Sequence, residues 1–262
     1  MVNMSQLWTI LLVAMVTTCL LSKETHADHV NRDCGKARHR PQSCLPGDKH
    51  KDVPSPEGED YAACHIFKSS SCCTADFTQQ LSRATVTNID GFHWNRCGNL
   101  SKSCEEYFVQ IECFYRCSPN VAHWQSATFP SAFNCAPVCR EFCNEWFTAC
   151  ADDMSCVSNW ITDWDTAENG SNYCPVNSTC STFRELYTDG RGLCETLWGN
   201  SFLYSNDSAT DPNRRCLVPS FPAGQTNPND EVVMRLLGGC CQDVATTSMV
   251  FTLVILILTL VM

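Results

Sequence analysis

Two apolar runs bracket this chain, and between them the hydrophobic residues recur mostly at helical spacing. Near the start, Leu7 to Leu21 is followed by Thr25-His26-Ala27, a small-x-small pattern ahead of Asp28. This is the layout of a secretory signal peptide over residues 1–27, cut after Ala27. At the far end, Met249 to Met262 is apolar apart from Thr252 and Thr259 and is shorter than the ~20 residues a spanning helix needs. Small residues at Gly238 and Gly239, a spacer from Cys241 to Ser248 and then this tail follow the order of a glycolipid-attachment signal. The expectation is a GPI-anchored protein on the extracellular face of the plasma membrane, attached at Gly238 or Gly239 with residues 240–262 removed. A shed or secreted form would accompany it.

Residues 28–239 then form one domain. From Asp28 to Asp60 the chain is polar and proline-containing, which predicts an extended lead-in tethered by Cys44 and offering little core. Helices are predicted over Thr74–Leu81 and Ser103–Cys117. In the second, Cys104, Phe108, Ile111 and Tyr115 make one buried stripe, and Pro119 stops the helix. A third is predicted over Pro137–Ala151, with Pro137 in the first turn and Cys139, Phe142, Cys143, Trp146 and Cys150 on the apolar face. Residues 157–219 carry Gly, Asn, Asp and Pro at short intervals, which predicts loops with one or two short helices around Cys194–Phe202. No period-2 alternation is sustained, so strands should be few and short. The fold class is α+β: a disulfide-rich, mainly helical globule with a few short strands and an open ligand cleft.

Cysteine usage changes the picture of how such a chain is held together. There are 21 cysteines. Cys19 leaves with the signal, and Cys240 and Cys241 flank the tail, so an even set remains for disulfides in an oxidising compartment. No Cys-x-x-Cys pair is present, which argues against a zinc site. Losing one native disulfide from a small secreted domain costs roughly 2–5 kcal/mol, so several together replace much of an apolar core. Glycosylation sequons stand at Asn99, Asn169, Asn177 and Asn206. The net charge of -10 argues against nucleic acid as a partner. No Gly-x-Ser-x-Gly, His-Glu-x-x-His or phosphate-loop pattern occurs, so no catalytic residue, metal or cofactor is expected.

Six tryptophans remain in the mature segment, at 94, 124, 146, 160, 164 and 198. Some are core; others are candidates for a ligand-stacking cleft, because Trp and Tyr present rigid flat faces at low entropic cost. Several of them lie in long motifs. These are Cys72-Cys73 with Phe77-Thr78-Gln79-Gln80-Leu81, Trp94-Asn95-Arg96-Cys97-Gly98-Asn99-Leu100, Glu112-Cys113-Phe114-Tyr115-Arg116-Cys117-Ser118-Pro119, Asn159-Trp160-Ile161-Thr162-Asp163-Trp164 and Trp198-Gly199. On these residues, from Cys44 to Cys216, the chain resembles the folate-receptor family, and within it the riboflavin-binding branch.

The resemblance implies a vitamin-binding, non-catalytic domain whose ligand ring is sandwiched between Tyr115 and Trp198, with Phe92, Trp124, Trp160, Trp164, Ser201 and Phe202 as further cleft residues. It also implies bridges Cys44–Cys72, Cys64–Cys113, Cys73–Cys117, Cys97–Cys180, Cys104–Cys150, Cys139–Cys216, Cys143–Cys194 and Cys156–Cys174. Cys34 and Cys135 have no counterpart in the shared set; a ninth bridge between them is one reading and an exposed free thiol the other. Folate-binding members place an Asp where this chain has Ile111, a His-Lys pair where it has Ile161-Thr162, and arginines in the loop that here, from Gln125 to Ala136, has no Lys or Arg. The small-molecule partner expected on these grounds is neutral riboflavin, probed at the cell surface for uptake, ahead of folate. A cell-cell adhesion protein without vitamin binding is the alternative from another class. Acid-triggered release is implied by the resemblance, with His93 and His123 as the histidines able to sense it.

Overall fold

The computed structural model describes residues 34, 37–40 and 43–238. The signal and attachment segments, including Ala27 and Gly239, lie outside the described residues; Gly238 is their last position. In chain order the regular elements are α1 (Ala75–Leu81), β1 (Asn88–Ile89), β2 (Phe92–His93), α2 (Lys102–Cys117), β3 (Ala136–Cys139), α3 (Arg140–Cys150), β4 (Met154–Ser155), β5 (Asp165–Thr166), β6 (Asn172–Tyr173), β7 (Ser181–Thr182), α4 (Phe183–Tyr187), α5 (Gly190–Thr196), β8 (Phe202–Ser205) and α6 (Asn229–Val233). A 3-10 turn at His65–Phe67, a 3-10 helix at Pro119–Trp124 and a π-helical turn at Met234–Gly238 complete the set. Among the described residues, no helix is long and apolar enough to cross a membrane.

The strands pair two by two. β1–β2, β4–β7 and β5–β6 are antiparallel, while β3 and β8 run parallel with Ala136 opposite Phe202 and Cys139 opposite Ser205. Ribbons this short have no stability of their own in water. Helix packing and covalent links therefore carry the fold, which is the disulfide-rich α+β class read from the sequence.

The helix α2 is the organising element. Its N-cap Ser101 accepts a hydrogen bond from the Cys104 N–H, and Pro119 follows its C-cap. Its buried face joins Phe108 to the core, where that ring meets Trp94 at 5.4 Å, Trp146 at 5.8 Å, Trp160 at 5.0 Å and Phe183 at 6.2 Å. Three disulfides fasten the helix along its length: Cys104 to Cys150 of α3, Cys113 to Cys64 and Cys117 to Cys73. Six more bridges join Cys34–Cys135, Cys44–Cys72, Cys97–Cys180, Cys139–Cys216, Cys143–Cys194 and Cys156–Cys174, closing segments of 18 to 101 residues.

Two expectations are corrected. Pro137 does not open a helix; residues 136–139 form β3, and α3 starts at Arg140. The reason is hydrogen bonding on both sides of the segment: Ala136 N donates to Ser201 O, while Leu217 N donates to Pro137 O and Cys139 N to Leu217 O. Proline has no N–H to give, and here only its carbonyl is used. The apolar face Phe142, Cys143, Trp146 and Cys150 survives as the buried side of α3. The lead-in also contributes core, since Leu45 is buried. Cys44 N donates to Asp52 O and Lys51 N to Cys72 O, so the loop beside the Cys44–Cys72 bridge lies folded against the body.

That loop carries His50, whose Nε2 is 3.2 Å from the Tyr115 carbonyl oxygen and whose ring meets the Tyr115 ring edge-on at 5.1 Å. With Nε2–H donating to that carbonyl, Nδ1 is enclosed without a partner. Burial lowers its pKa to about 4. A base whose folded pKa lies below its unfolded value binds fewer protons folded than unfolded, so its contribution is complete above the unfolded pKa and is lost as pH falls toward the folded one. His50→Gln, which retains a donor and does not titrate, should therefore flatten the acid loss of stability by at most about 3 kcal/mol between about pH 7.5 and about pH 4.5, read by denaturant unfolding at both pH values. Phe108→Ala should cost about 3–5 kcal/mol at neutral pH in the same assay, because the ring it removes has no space left for neighbours to collapse into.

Candidate functional site

One cavity of about 320 Å³ opens against α2. Its size is at the lower end of small-molecule pockets, enough for a fused-ring compound. α2 gives Ile111, Glu112, Tyr115 and Arg116, two adjacent pairs one helical turn apart. The β1–β2 hairpin gives Ile89, Asp90 and Phe92, the 132–133 segment gives Ala132 and Phe133, and the remaining wall is Trp160, Ile161, Trp198, Ser201 and Phe202, with Lys49 at one side. The hairpin turn is Asp90-Gly91, with φ of 49° and 82°. Both values are positive, as a two-residue type I′ turn requires, and Asp-Gly is a preferred pair for it. That turn carries Asp90 to the cavity. On the opposite wall, Gly199 at φ 58° turns the chain directly after Trp198, and Ser201 N donates back to Trp198 O.

Of the site residues expected from the sequence, Tyr115, Trp198, Phe92, Trp160, Ser201 and Phe202 line this cavity. Trp124 and Trp164 do not. Trp124 is buried beside His123, edge to face at 6.2 Å. Trp164 stands behind the wall, edge-on to Phe92 at 6.2 Å and to Trp160 at 5.6 Å. The wall rings are held from outside the cavity: Trp160 Nε1 donates to Ser155 Oγ at 3.0 Å, and the Tyr115 hydroxyl donates to the Ser131 carbonyl at 3.0 Å. Trp198 contacts Phe92, Phe108 and Trp160 at 6.1, 6.3 and 5.7 Å, whereas Tyr115 contacts His50 and Phe133. Among the described residues neither ring is a ring neighbour of the other.

The polar side of the wall was not legible beforehand. Arg116 pairs with Asp90, Nη2 to Oδ2 at 2.7 Å, and its guanidinium lies over the Phe77 ring at 4.5 Å. Its Nε is 3.4 Å from Glu112 Oε2. Burial pushes the Glu112 carboxyl up, against the opposing pull of Arg116 and Lys49. Asp90 is held below the usual carboxylate range: burial would raise it, but the Arg116 hydrogen bond and charge outweigh that. Ile111 thus leaves the cavity without an acid at its own position, but its neighbour Glu112 supplies one. The Asp90-Gly91 pair between Ile89 and Phe92 was the available signal for the hairpin; nothing in the sequence marked Glu112 and Arg116 as facing inward.

His93 and His123, the histidines singled out as acid sensors, both have pKa values lowered by burial. His123 Nδ1 also takes a hydrogen bond from Arg40 N at 2.9 Å. Neither lines the aromatic cavity. His123 instead borders a second cavity of about 310 Å³ with Arg38, Arg40, Gln125, Ser126, Ala127 and Pro130, which has no aromatic wall beyond that imidazole. The four sequon asparagines, Asn99, Asn169, Asn177 and Asn206, are all exposed.

Comparison with known proteins agrees with this architecture. The pattern of the folate receptor family matches residues 43–218. The riboflavin-binding protein of Dromaius novaehollandiae is 45% identical over 166 residues, covering 63% of this chain and 68% of that protein. Its Gallus gallus namesake is 45% identical over 165 residues, with the same coverage of 63% and 68%. Folate receptor gamma of Homo sapiens is 38% identical over 194 residues, covering 72% of this chain and 77% of that protein. With a disulfide-stapled α+β body and an aromatic cavity against its central helix, the chain belongs to the folate receptor family.

Proposed function

We propose that this protein binds riboflavin, stacking the isoalloxazine ring between Tyr115 and Trp198, and releases it chemically unchanged. The observation that carries the reading is that both side chains line one cavity of about 320 Å³ without packing on each other. Riboflavin is neutral, with a flat apolar ring face and a polyol chain, and suits a wall made of Phe92, Phe133, Trp160 and Phe202 around that pair. The similarity to proteins named for riboflavin binding supports the choice. Display by a GPI anchor at Gly238 or Gly239, with uptake as its purpose, belongs to the same proposal.

Folate is the second reading, favoured by Glu112 and Lys49 on the wall and by similarity to proteins named folate receptors. The two part on charge. The glutamate tail of folate needs cations at the cavity mouth, where this chain offers Lys49 and the exposed, apolar Ile161.

Titrating the protein into riboflavin should quench flavin fluorescence with saturation at or below micromolar concentration, and folate should not compete at equal concentration. Tyr115→Ala and Trp198→Ala should each weaken binding roughly ten- to hundred-fold, from stacking contributions of ~1–3 kcal/mol per face. Absence of quenching, or capture of folate in preference, would overturn the flavin reading.

A further inference from the structure

The cavity wall contains a carboxylate that the fold satisfies only in part. Glu112 is buried and lines the cavity, and its nearest polar neighbour among the described residues is Arg116, at ion-pair distance. Its Oε2 is enclosed without a partner, and so is the Nε of Arg116, 3.4 Å away, because the two atoms do not meet with hydrogen-bond geometry. Arg116 is committed elsewhere, to Asp90 at 2.7 Å and to the face of Phe77 at 4.5 Å. Turning it fully onto Glu112 would break both contacts. Were Glu112 present to neutralise Arg116, a forked two-bond pair would be the expected form. Buried polar groups in folded proteins are almost always hydrogen-bonded, and a carboxylate without donors is among the costly exceptions. Oε2 is enclosed against Arg116, so on a residue that also lines the cavity the oxygen a bound molecule could reach is Oε1.

We infer that Glu112 contacts the ligand directly, its carboxylate accepting a hydrogen bond from a donor on the bound molecule and thereby selecting among fused-ring compounds of similar shape. The inference rests on the flavin reading above and adds a polar determinant to it. Riboflavin carries two kinds of donor, the imide N–H at the edge of its ring system and the hydroxyls of its polyol chain. Either meets the same chemical requirement, and the two can be told apart with analogues.

The test is to titrate riboflavin, 3-methylriboflavin, which lacks the imide N–H, and lumiflavin, which lacks the polyol, against the full-length protein and its Glu112→Ala and Glu112→Gln variants, following flavin fluorescence. The unmodified protein should bind one of the two analogues roughly ten- to hundred-fold more weakly than riboflavin, the span expected for a hydrogen bond to a charged group. In Glu112→Ala that preference should vanish, and in the isosteric Glu112→Gln, which retains an acceptor without charge, it should shrink. A weakening of all three ligands by one common factor in Glu112→Ala would reduce Glu112 to a structural role and overturn the inference. Undiminished preference in Glu112→Gln would overturn it equally, including where the alanine variant fails to fold. Riboflavin binding by the unmodified protein without any preference over both analogues removes this inference alone, whereas no riboflavin binding at all removes the flavin reading beneath it.

Discussion

Everything in this molecule depends on holding α2 fixed. Three of the nine bridges among the described residues end on that one helix, at Cys104, Cys113 and Cys117, and Phe108 drives its buried face into a cluster of Trp94, Trp146, Trp160 and Phe183. Strand pairs of two to four residues could not supply that rigidity. Because the helix is fastened covalently, the backbone carrying Ile111, Glu112, Tyr115 and Arg116 is fixed, while Asp90 and Ser131 from neighbouring loops hold the Arg116 and Tyr115 side chains. A wall made before the ligand arrives spares the entropy of ordering it on binding.

The apolar stripes were legible because a helix repeats every 3.6 residues whatever lies around it. Cys104, Phe108, Ile111 and Tyr115 announced α2, and Phe142, Cys143, Trp146 and Cys150 announced the buried face of α3. What misled was Pro137, whose preference for a first helical turn is local. The hydrogen bonds that make residues 136–139 a strand come from Ser201 and Leu217, more than sixty positions away. Likewise, Trp124 and Trp164 cannot be told from Trp160 and Trp198 by residue type. Only the tertiary arrangement decides that the second pair lines the cavity and the first does not. That Tyr115 and Trp198 line one cavity was readable only through family resemblance, not through any spacing in this chain.

The polar wall was hidden for a related reason. Glu112 and Arg116 are four residues apart on α2, which by itself reads as an ordinary helix-surface ion pair. The structure shows a different distribution: Arg116 stays within 3.4 Å of Glu112 but makes its shorter ion pair with Asp90, an aspartate brought in by the β1–β2 turn, and lies on Phe77. The helix pair becomes a three-charge group in which Arg116 and Glu112 are buried and Asp90 is exposed. The acidic character of the whole chain, net -10, thus says little about its cavity, where Lys49 and Arg116 face Asp90 and Glu112 in equal number.

That balance also determines where acid would act. Burial holds His50, His93 and His123 below their ordinary range, so none of them gains charge readily as pH begins to fall from neutrality. Burial moves Glu112 the other way, raising the pH at which it takes up a proton. Desolvation, acting at separate places in the fold, thus delays the bases and advances the acid. Glu112 lines the cavity, and protonation would convert one of its carboxylate oxygens from an acceptor into a donor there.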